Sequence, residues 1–315
     1  MNSSVLFDAP GPKARRRHLI LGIVGSALLL VLLALAALRL NDKGQFDAYK
    51  WRPFLTSSLW KNYLLPGLVG TLKAAAIAIV ISCVLGAVLA MLRLIEPPAK
   101  QSPVAVLLRA VKVVAGAWVE VTRAIPVLLM MLFIFGLLSA QGWIDSGTRP
   151  LVATVSGLVF YNSAVICEVI RSGVDQLPGG QREAGLAIGL PAGQTVRTIL
   201  LPQAVTTMLP ALIGQLVVVL KDTALGYTVF YGELLNRSKP ATAANGNIFA
   251  MLVVVAAIYI LLNYGIGKLA ELVERRMKRR GRSAGAAPGL GGGSGVVAGP
   301  SSAGPAGFAA PSVGS

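Results

Sequence analysis

Six long apolar runs constrain what this chain can fold into. Each contains about 20 predominantly apolar residues, the length that an α-helix needs to cross a bilayer. Hydrophobic residues make up 55% of the chain and charged residues 13%, a composition typical of a membrane protein with several spans. The sequence therefore predicts an all-α polytopic membrane protein with about six transmembrane helices. The runs lie at 19–38, 64–92, 113–138, 151–170, 203–235 (broken near Lys221) and 248–267.

Basic residues are distributed unevenly over the segments between these runs. If the N-terminus is cytoplasmic and the six helices alternate, 18 of the 29 Lys and Arg residues lie on the cytoplasmic side, 8 outside and 3 within helices. This asymmetry follows the positive-inside rule and predicts that both termini are cytoplasmic. The net charge of +16 thus indicates orientation in a membrane, and no nucleic acid is expected as a partner.

The composition divides the chain into four parts. We expect a cytoplasmic N-terminal arm at 1–18, a transmembrane helix at 19–40, a core of five transmembrane helices at 60–280 and a tail at 281–315. The tail is rich in Gly, Ala, Ser and Pro, so it cannot bury enough apolar surface to fold and is predicted to be disordered in the cytoplasm. The first helix also has features of a signal peptide, but its apolar run continues without a polar spacer, which favours an uncleaved helix.

Residues for enzymatic chemistry are sparse. The sequence contains no Gly-x-x-x-x-Gly-Lys-Ser/Thr loop to hold nucleotide phosphates, so we expect no cofactor in this chain. The sole histidine, His18, adjoins three arginines at the start of the first apolar run, and no metal site is expected. Cys83 and Cys167 lie inside apolar runs and are interpreted as packing residues. These observations argue against an enzyme.

A polar segment separates the fourth and fifth apolar runs. Pro and Gly at 178–180 break the preceding helix, residues 181–188 favour a short helix, and Gly-Leu-Pro at 189–191 ends it. A second short helix is predicted to run to about Leu200. Glu183 lies in the first turn of the first helix, where the helix dipole favours a negative charge. The residues alone are compatible with an interfacial amphipathic loop or with a docking element.

The polar segment resembles the coupling loop of ABC importer permeases, which reads Glu-Ala-Ala, three residues, Gly, nine residues, Ile and then Leu-Pro. Glu183, Ala184 and Gly189 match this pattern and are followed by Ile199 and Leu201-Pro202. Gly185 replaces the second Ala. By this resemblance, contact with an ATPase is expected at Gln181, Glu183, Ala184, Gly189 and Pro202.

Three further stretches resemble motifs of polar amino-acid permeases, in the same order along the chain. They are Thr122–Leu129, Tyr161–Gly173 and Leu220–Gly226, and the likeness extends from about Gly70 to Lys278. Ala124-Ile125 departs from the family's Gly-Thr. The residues of these motifs are similar to those of glutamate-type permeases. The resemblance implies the transmembrane domain of a type I ABC importer for polar amino acids, with glutamate as the expected substrate.

The same resemblance implies the partners. They are two ATP-binding cassette ATPases that bind ATP and Mg²⁺, a second permease subunit that is identical or homologous, and an extracellular substrate-binding protein. The expected location is the cytoplasmic membrane of a bacterium. The alternative is an ion-coupled secondary transporter or channel that uses intramembrane charge pairs; it predicts inverted internal repeats, which the sequence does not show.

Ionisable residues interrupt the apolar runs. Each charge near the bilayer centre costs about 2.5–3.5 kcal/mol, so it is expected to pair or to face a polar path. Glu120 and Arg123 are three residues apart and can pair on one helical face, as can Glu168 and Arg171. Pro126 and Gly226 are expected to loosen their helices, as in the discontinuous helices of transporters. We therefore predict that three residues lie on the translocation path, where the cations favour an anionic or zwitterionic amino acid: Arg123, Lys221 and Thr223. We predict structural charge pairs for Glu120, Asp222, Glu168 and Arg171.

Overall fold

The computed structural model describes residues 11–97 and 102–285, and these ranges contain helices and no strand. Two 3₁₀ turns, at Arg52–Leu55 and Thr223–Val229, and two π-helical turns, at Trp60–Leu64 and Val196–Leu200, join neighbouring helices. The α-helices are α1 (Pro12–Asp42), α2 (Ala48–Trp51), α3 (Ser57–Leu59), α4 (Leu65–Leu94), α5 (Pro103–Ala124), α6 (Val127–Gln141), α7 (Arg149–Asp175), α8 (Gly179–Ala187), α9 (Ala192–Thr195), α10 (Leu201–Asp222), α11 (Leu234–Asn245) and α12 (Ile248–Gly285).

Membrane-length helices account for most of the described chain. Five continuous helical stretches are long and apolar enough to cross a bilayer, and the bent pair α5 and α6 makes a sixth when it is counted as one broken span. The predicted all-α class with about six spans is confirmed. The five continuous stretches are Pro12–Asp42, Ser57–Leu94, Arg149–Asp175, Ala192–Val229 and Ile248–Leu272.

The third span is broken between α5 and α6, which meet at an angle of 101°. Ile125 has φ −87° and ψ 125°, an extended conformation. A residue before proline is disfavoured in the α region, because the proline ring clashes with its backbone, so α5 ends at Ala124 and α6 starts after Pro126. The break puts the last turn of α5, with Arg123, beside α7.

Helix α7 occupies the centre of the bundle and packs against α4, α5, α6 and α10. Small residues permit close approach, as is usual between transmembrane helices. A Cβ on Gly86 of α4 would lie 2.7 Å from Ile166 of α7, and one on Gly157 of α7 would lie 2.5 Å from Met131 of α6. These contacts leave no room for a side chain at either glycine.

Helices extend into both of the predicted terminal segments. Helix α1 begins at Pro12, so part of the predicted arm at 1–18 is helical, and its side chains are almost all exposed. Helix α12 continues to Gly285, five residues into the predicted tail at 281–315. The rest of the arm and of the tail lies outside the described residues.

Both π-helical turns precede a proline that lies inside a longer helical stretch. The turn Trp60–Leu64 is followed by Pro66, and the turn Val196–Leu200 is followed by Pro202. A proline removes one backbone donor, and its ring clashes with the carbonyl four residues earlier. A widened turn relieves this clash while the helix continues.

Candidate functional site

A polar cavity of about 450 Å³ opens between α7, α10 and the break after α5. Arg123 enters it from α5, Glu168 and Arg171 from α7, and Thr207 from α10. Met208 contributes part of the apolar wall. The cavity therefore combines charged groups with hydrocarbon at a place where three spans meet.

The carboxylate of Glu168 is shared by three guanidinium groups. It forms an ion pair with Arg93 of α4, its Oε2 lies 3.0 Å from Nη2 of Arg171, and its Oε1 lies 3.9 Å from Nη1 of Arg123. Arg171 also contacts Asp175 at 2.7 Å. We call these five residues the Glu168 cluster; it has three positive and two negative charges.

One predicted ion pair, Glu168 with Arg171, is present in the cluster, and the other, Glu120 with Arg123, is not formed. Arg171 pairs with Glu168 as expected from their spacing, whereas Arg123 approaches Glu168 and not Glu120. Glu120 is exposed and forms no ion pair within the described ranges, because the last turns of α5 bury Val119 and Thr122 instead. Spacing along one helix did not reveal which face of α5 meets α7.

The Arg123 guanidinium is the least restrained cation of the cluster. Its side chain is 47% exposed, compared with 15% for Arg93, and its contact with Glu168 is the longest of the three. A guanidinium binds carboxylates through two parallel hydrogen bonds. Arg123 is therefore the group that can exchange its partner for a carboxylate in the cavity.

Besides the Glu168 cluster, a hydrogen bond between side chains links α7 to α10. It was not predicted from the sequence. Asn162 is fully buried; its Nδ2 donates to the carbonyl of Leu158 at 2.7 Å, and its Oδ1 accepts from Nε2 of Gln215 at 2.5 Å. The available signal was a pair of amide residues in two separate apolar runs. This bond fixes α7 and α10 against each other.

Lys221, Asp222 and Thr223 lie where α10 changes to a 3₁₀ turn. Lys221 is exposed and Asp222 half-buried, and no ion pair joins them among the described residues. Thr223 is buried, with its hydroxyl donating to the carbonyl of Leu220 at 2.6 Å. The helix was predicted to be loosened near Gly226, and the 3₁₀ turn Thr223–Val229 lies at this place.

The predicted path residues do not form one cluster. The 3₁₀ turn after α10 packs on α7 where Gly226 meets Thr154, whereas Arg123 contacts Glu168. Thr154 and Glu168 are 14 residues apart on α7, or about 21 Å along the helix at 1.5 Å per residue. Arg123 thus lies far along the span from Lys221 and Thr223.

The polar segment after α7 forms an exposed helix at one end of the bundle. Helix α8 presents Gln181, Glu183 and Ala184 to solvent. Gly189 ends it with φ 86°, a left-handed conformation that suits glycine. Ile188 next to it is 75% exposed. The surface combines polar and apolar groups, as expected for a contact with another protein.

The second predicted short helix is not a separate element. Helix α9 continues through the π-helical turn into α10, so the span Ala192–Val229 includes it. The predicted end at about Leu200 is absent, and Pro202 lies exposed within this continuous stretch. The turn widened by Pro202 keeps the helix intact where we predicted a boundary.

Gly185 connects α8 to α9 through a close contact. A Cβ on Gly185 would lie 2.5 Å from Cγ2 of Thr195 and 3.1 Å from Cδ1 of Ile199. This contact explains why Gly185 replaces the second alanine of the Glu-Ala-Ala pattern. The β-branched side chain of Thr195 occupies the space that an alanine methyl group would need.

A multi-span helical bundle with an exposed helical loop at one end and a charged cavity behind it defines a membrane subunit of a transport system. Residues 103–279 match the family described as binding-protein-dependent transport system inner membrane component, and the chain belongs to this family. It is a multi-pass inner-membrane permease subunit. In this family the ATPase activity lies in partner subunits, and the transport system also contains a second permease and a substrate-binding protein.

The chain is similar to permeases of amino-acid transport systems. It is 41% identical over 244 residues to the glutamate transport system permease protein GluD of Corynebacterium glutamicum, which covers 78% of this chain and 85% of that protein. It is 29% identical over 218 residues to the arginine transport system permease protein ArtQ of Bacillus subtilis, covering 69% and 93%. A crystal structure of an amino acid ABC transporter with histidines has a TM-score of 0.61 at 28% identity, covering 71% of this chain and 98% of that one. The predicted ABC permease family and its type I fold are confirmed.

Proposed function

We propose that this chain is the permease subunit of an ATP-driven importer of acidic amino acids, with glutamate as its substrate. The observation that carries the proposal is the excess of positive charge around the polar cavity, where Arg123 has only a distant anionic partner. Such a site favours a carboxylate side chain over a guanidinium. The similarity to a glutamate permease supports the same substrate, whereas the likeness to an arginine permease is lower.

In the proposed assembly two permease subunits meet two ATPases in the cytoplasm and a binding protein outside, with both termini of this chain cytoplasmic. ATP and Mg²⁺ bind to the ATPases. Each ATPase contacts α8 through Gln181, Glu183 and Ala184, with Gly189 and Pro202 at the edges of the contact. Closure of the ATPase pair moves α8, and the helices then alternate between inward and outward openings.

The proposed path runs along α7 past Arg123 at one level and Lys221 and Thr223 at another. Arg123 releases Glu168 as it takes up the substrate carboxylate. Thr223 lines the path only if its hydroxyl leaves the carbonyl of Leu220, so its role belongs to another conformation of the cycle. Glu168 holds α7 to α4 through Arg93, and Arg171 orients the Glu168 carboxylate from the next turn of α7. Asp222 balances Lys221 without a direct contact.

The substrate assignment is tested by uptake of radiolabelled L-glutamate in cells that contain the complete transporter. Excess unlabelled aspartate is expected to compete, and excess arginine is not. Arg123→Gln is expected to raise KM for glutamate about tenfold, since it removes one charge-assisted contact worth about 1.4 kcal/mol. Glu120→Gln is the matched control, because Glu120 lies on the same helix and is exposed.

Competition by arginine alone would contradict the acidic substrate and leave the permease assignment intact. Uptake that persists without the ATPase and collapses with an ionophore would favour the ion-coupled secondary transporter instead.

A further inference from the structure

Helix α8 has a direct polar connection to α4. The guanidinium of Arg182 on α8 forms an ion pair with the carboxylate of Glu96, which follows the end of α4 by two residues. A weaker contact joins α8 to α10, where Nε2 of Gln203 donates to Oε1 of Gln181 at 3.2 Å. Arg182 and Glu96 therefore provide the charged link between the exposed helix and the bundle.

The space beneath α8 is not filled. A cavity of about 170 Å³ lies between α8 and the ends of the neighbouring helices, with Leu94, Val174 and Leu200 in its wall. A close-packed interface resists displacement, whereas an unfilled one loses few contacts when its two sides shift. Helices α8 and α9, packed together at Gly185, can therefore shift relative to α4 and α7 while Arg182 and Glu96 stay in contact.

The end of α4 leads from this link to the polar cavity. Glu96 lies three residues after Arg93, and Arg93 pairs with Glu168 across 75 residues of sequence. Glu168 in turn faces Arg123 at 3.9 Å. A displacement of α8 reaches the polar cavity through two ion pairs, the extended residue Ile95 and the last turn of α4.

We infer that Arg182 and Glu96 are positioning residues, which transmit the movement of α8 to α4 and, through Arg93 and Glu168, to Arg123. This inference rests on the proposed function, because α8 must be the element that the ATPase moves. The side chains of Arg182 and Glu96 are 44% and 36% exposed. Ion pairs of such exposure add little to folding stability, so a large effect on transport would report on coupling.

The test measures the ratio of L-glutamate transported to ATP hydrolysed by the complete complex in proteoliposomes. The variants are Arg182→Glu, Glu96→Arg and the double exchange that carries both. Each single exchange is expected to lower the ratio about fivefold or more, the range of ordinary coupling between sites. In the single variants the ATPase is expected to co-purify as in the wild type, and the unfolding midpoint of the complex is expected to stay the same. The double exchange restores the ion pair with reversed charges and is expected to recover the ratio.

The matched control is the exposed pair Lys268 and Glu271 on α12, 3.0 Å apart, exchanged in the same way. Its variants are expected to keep the wild-type ratio. A double exchange that stays as poor as the single ones would overturn the inference, as would an equal loss in the α12 controls. Loss of the ATPase from the Arg182→Glu complex would mean that Arg182 contacts the ATPase itself, which also overturns it. In these cases the proposed function stands, whereas a wild-type complex without ATP-dependent glutamate uptake would contradict both.

Discussion

Gly185 of α8 and Thr195 of α9 are in such close contact that a Cβ on Gly185 would lie 2.5 Å from the Thr195 methyl carbon. Gly185 is buried although most of α8 is exposed. The contact makes α8 and α9 a single unit that is continuous with α10. A force applied to α8 is therefore delivered to a membrane-length helix without an intervening flexible loop.

Restoring the family's alanine at position 185 should damage this chain. Gly185→Ala is expected to cost about 1–3 kcal/mol through overpacking against Thr195. Thr195→Ala removes the obstructing atoms, so the double variant is expected to recover most of the loss in a thermal unfolding assay of the purified complex. Additive effects of the two substitutions would show that the contact is absent.

Gly189 should tolerate substitution less well than a nearby glycine of ordinary conformation. Gly189 has φ 86°, where a side chain is strained, so Gly189→Ala is expected to cost about 1 kcal/mol or more and to weaken ATPase binding. Gly193 has open space around it and no positive φ, and Gly193→Ala serves as the control. Equal ATPase co-purification by both variants would argue against a fixed end of α8.

The hydrogen bond between Gln215 and Asn162 should stabilise the packing of α10 on α7. Gln215→Leu leaves the Oδ1 of buried Asn162 without a donor, which is expected to cost about 1–3 kcal/mol. Gln141→Leu at the exposed end of α6 is the control and should change the unfolding midpoint little. Equal unfolding midpoints of the two variants would show that this bond does not stabilise the packing of α10 on α7.

Neutralising the centre of the Glu168 cluster should have a large effect. Glu168→Gln leaves three guanidinium groups without their shared anion: Arg93, Arg171 and Arg123. Because these positive charges then repel one another, the free energy of unfolding is expected to fall by up to about 3 kcal/mol. Glu120→Gln should be neutral. Unfolding of the two variants in the same detergent measures the difference, and a neutral Glu168→Gln would show that the cluster does not hold the helices.

The positions of the spans could be predicted because each apolar run must bury itself in lipid or protein. The break of the third span also had a local cause, since Pro126 restricts the residue before it. The end of the second short helix, predicted at about Leu200, was wrong, because a π-helical turn lets the helix continue past Pro202 into α10.

Side-chain partners between helices could not be predicted in the same way. Arg93 and Glu168 are 75 residues apart, and Asn162 and Gln215 are 53 apart, so neither contact follows from helical spacing. The expected partner of Arg123 was wrong for this reason. The roles of Gln181, Glu183 and the path residues came from resemblance and stay predictions until transport is measured.

The most direct test of coupling through α8 is ATP-dependent uptake of radiolabelled L-glutamate by proteoliposomes that contain this chain, its second permease subunit, its ATPases and its binding protein. We expect uptake to require ATP and to be abolished by Glu183→Arg on the exposed face of α8, while the variant chain still inserts in the membrane. Glutamate uptake that continues without ATP and is unchanged by Glu183→Arg would contradict the claim that an ATPase drives this permease through α8.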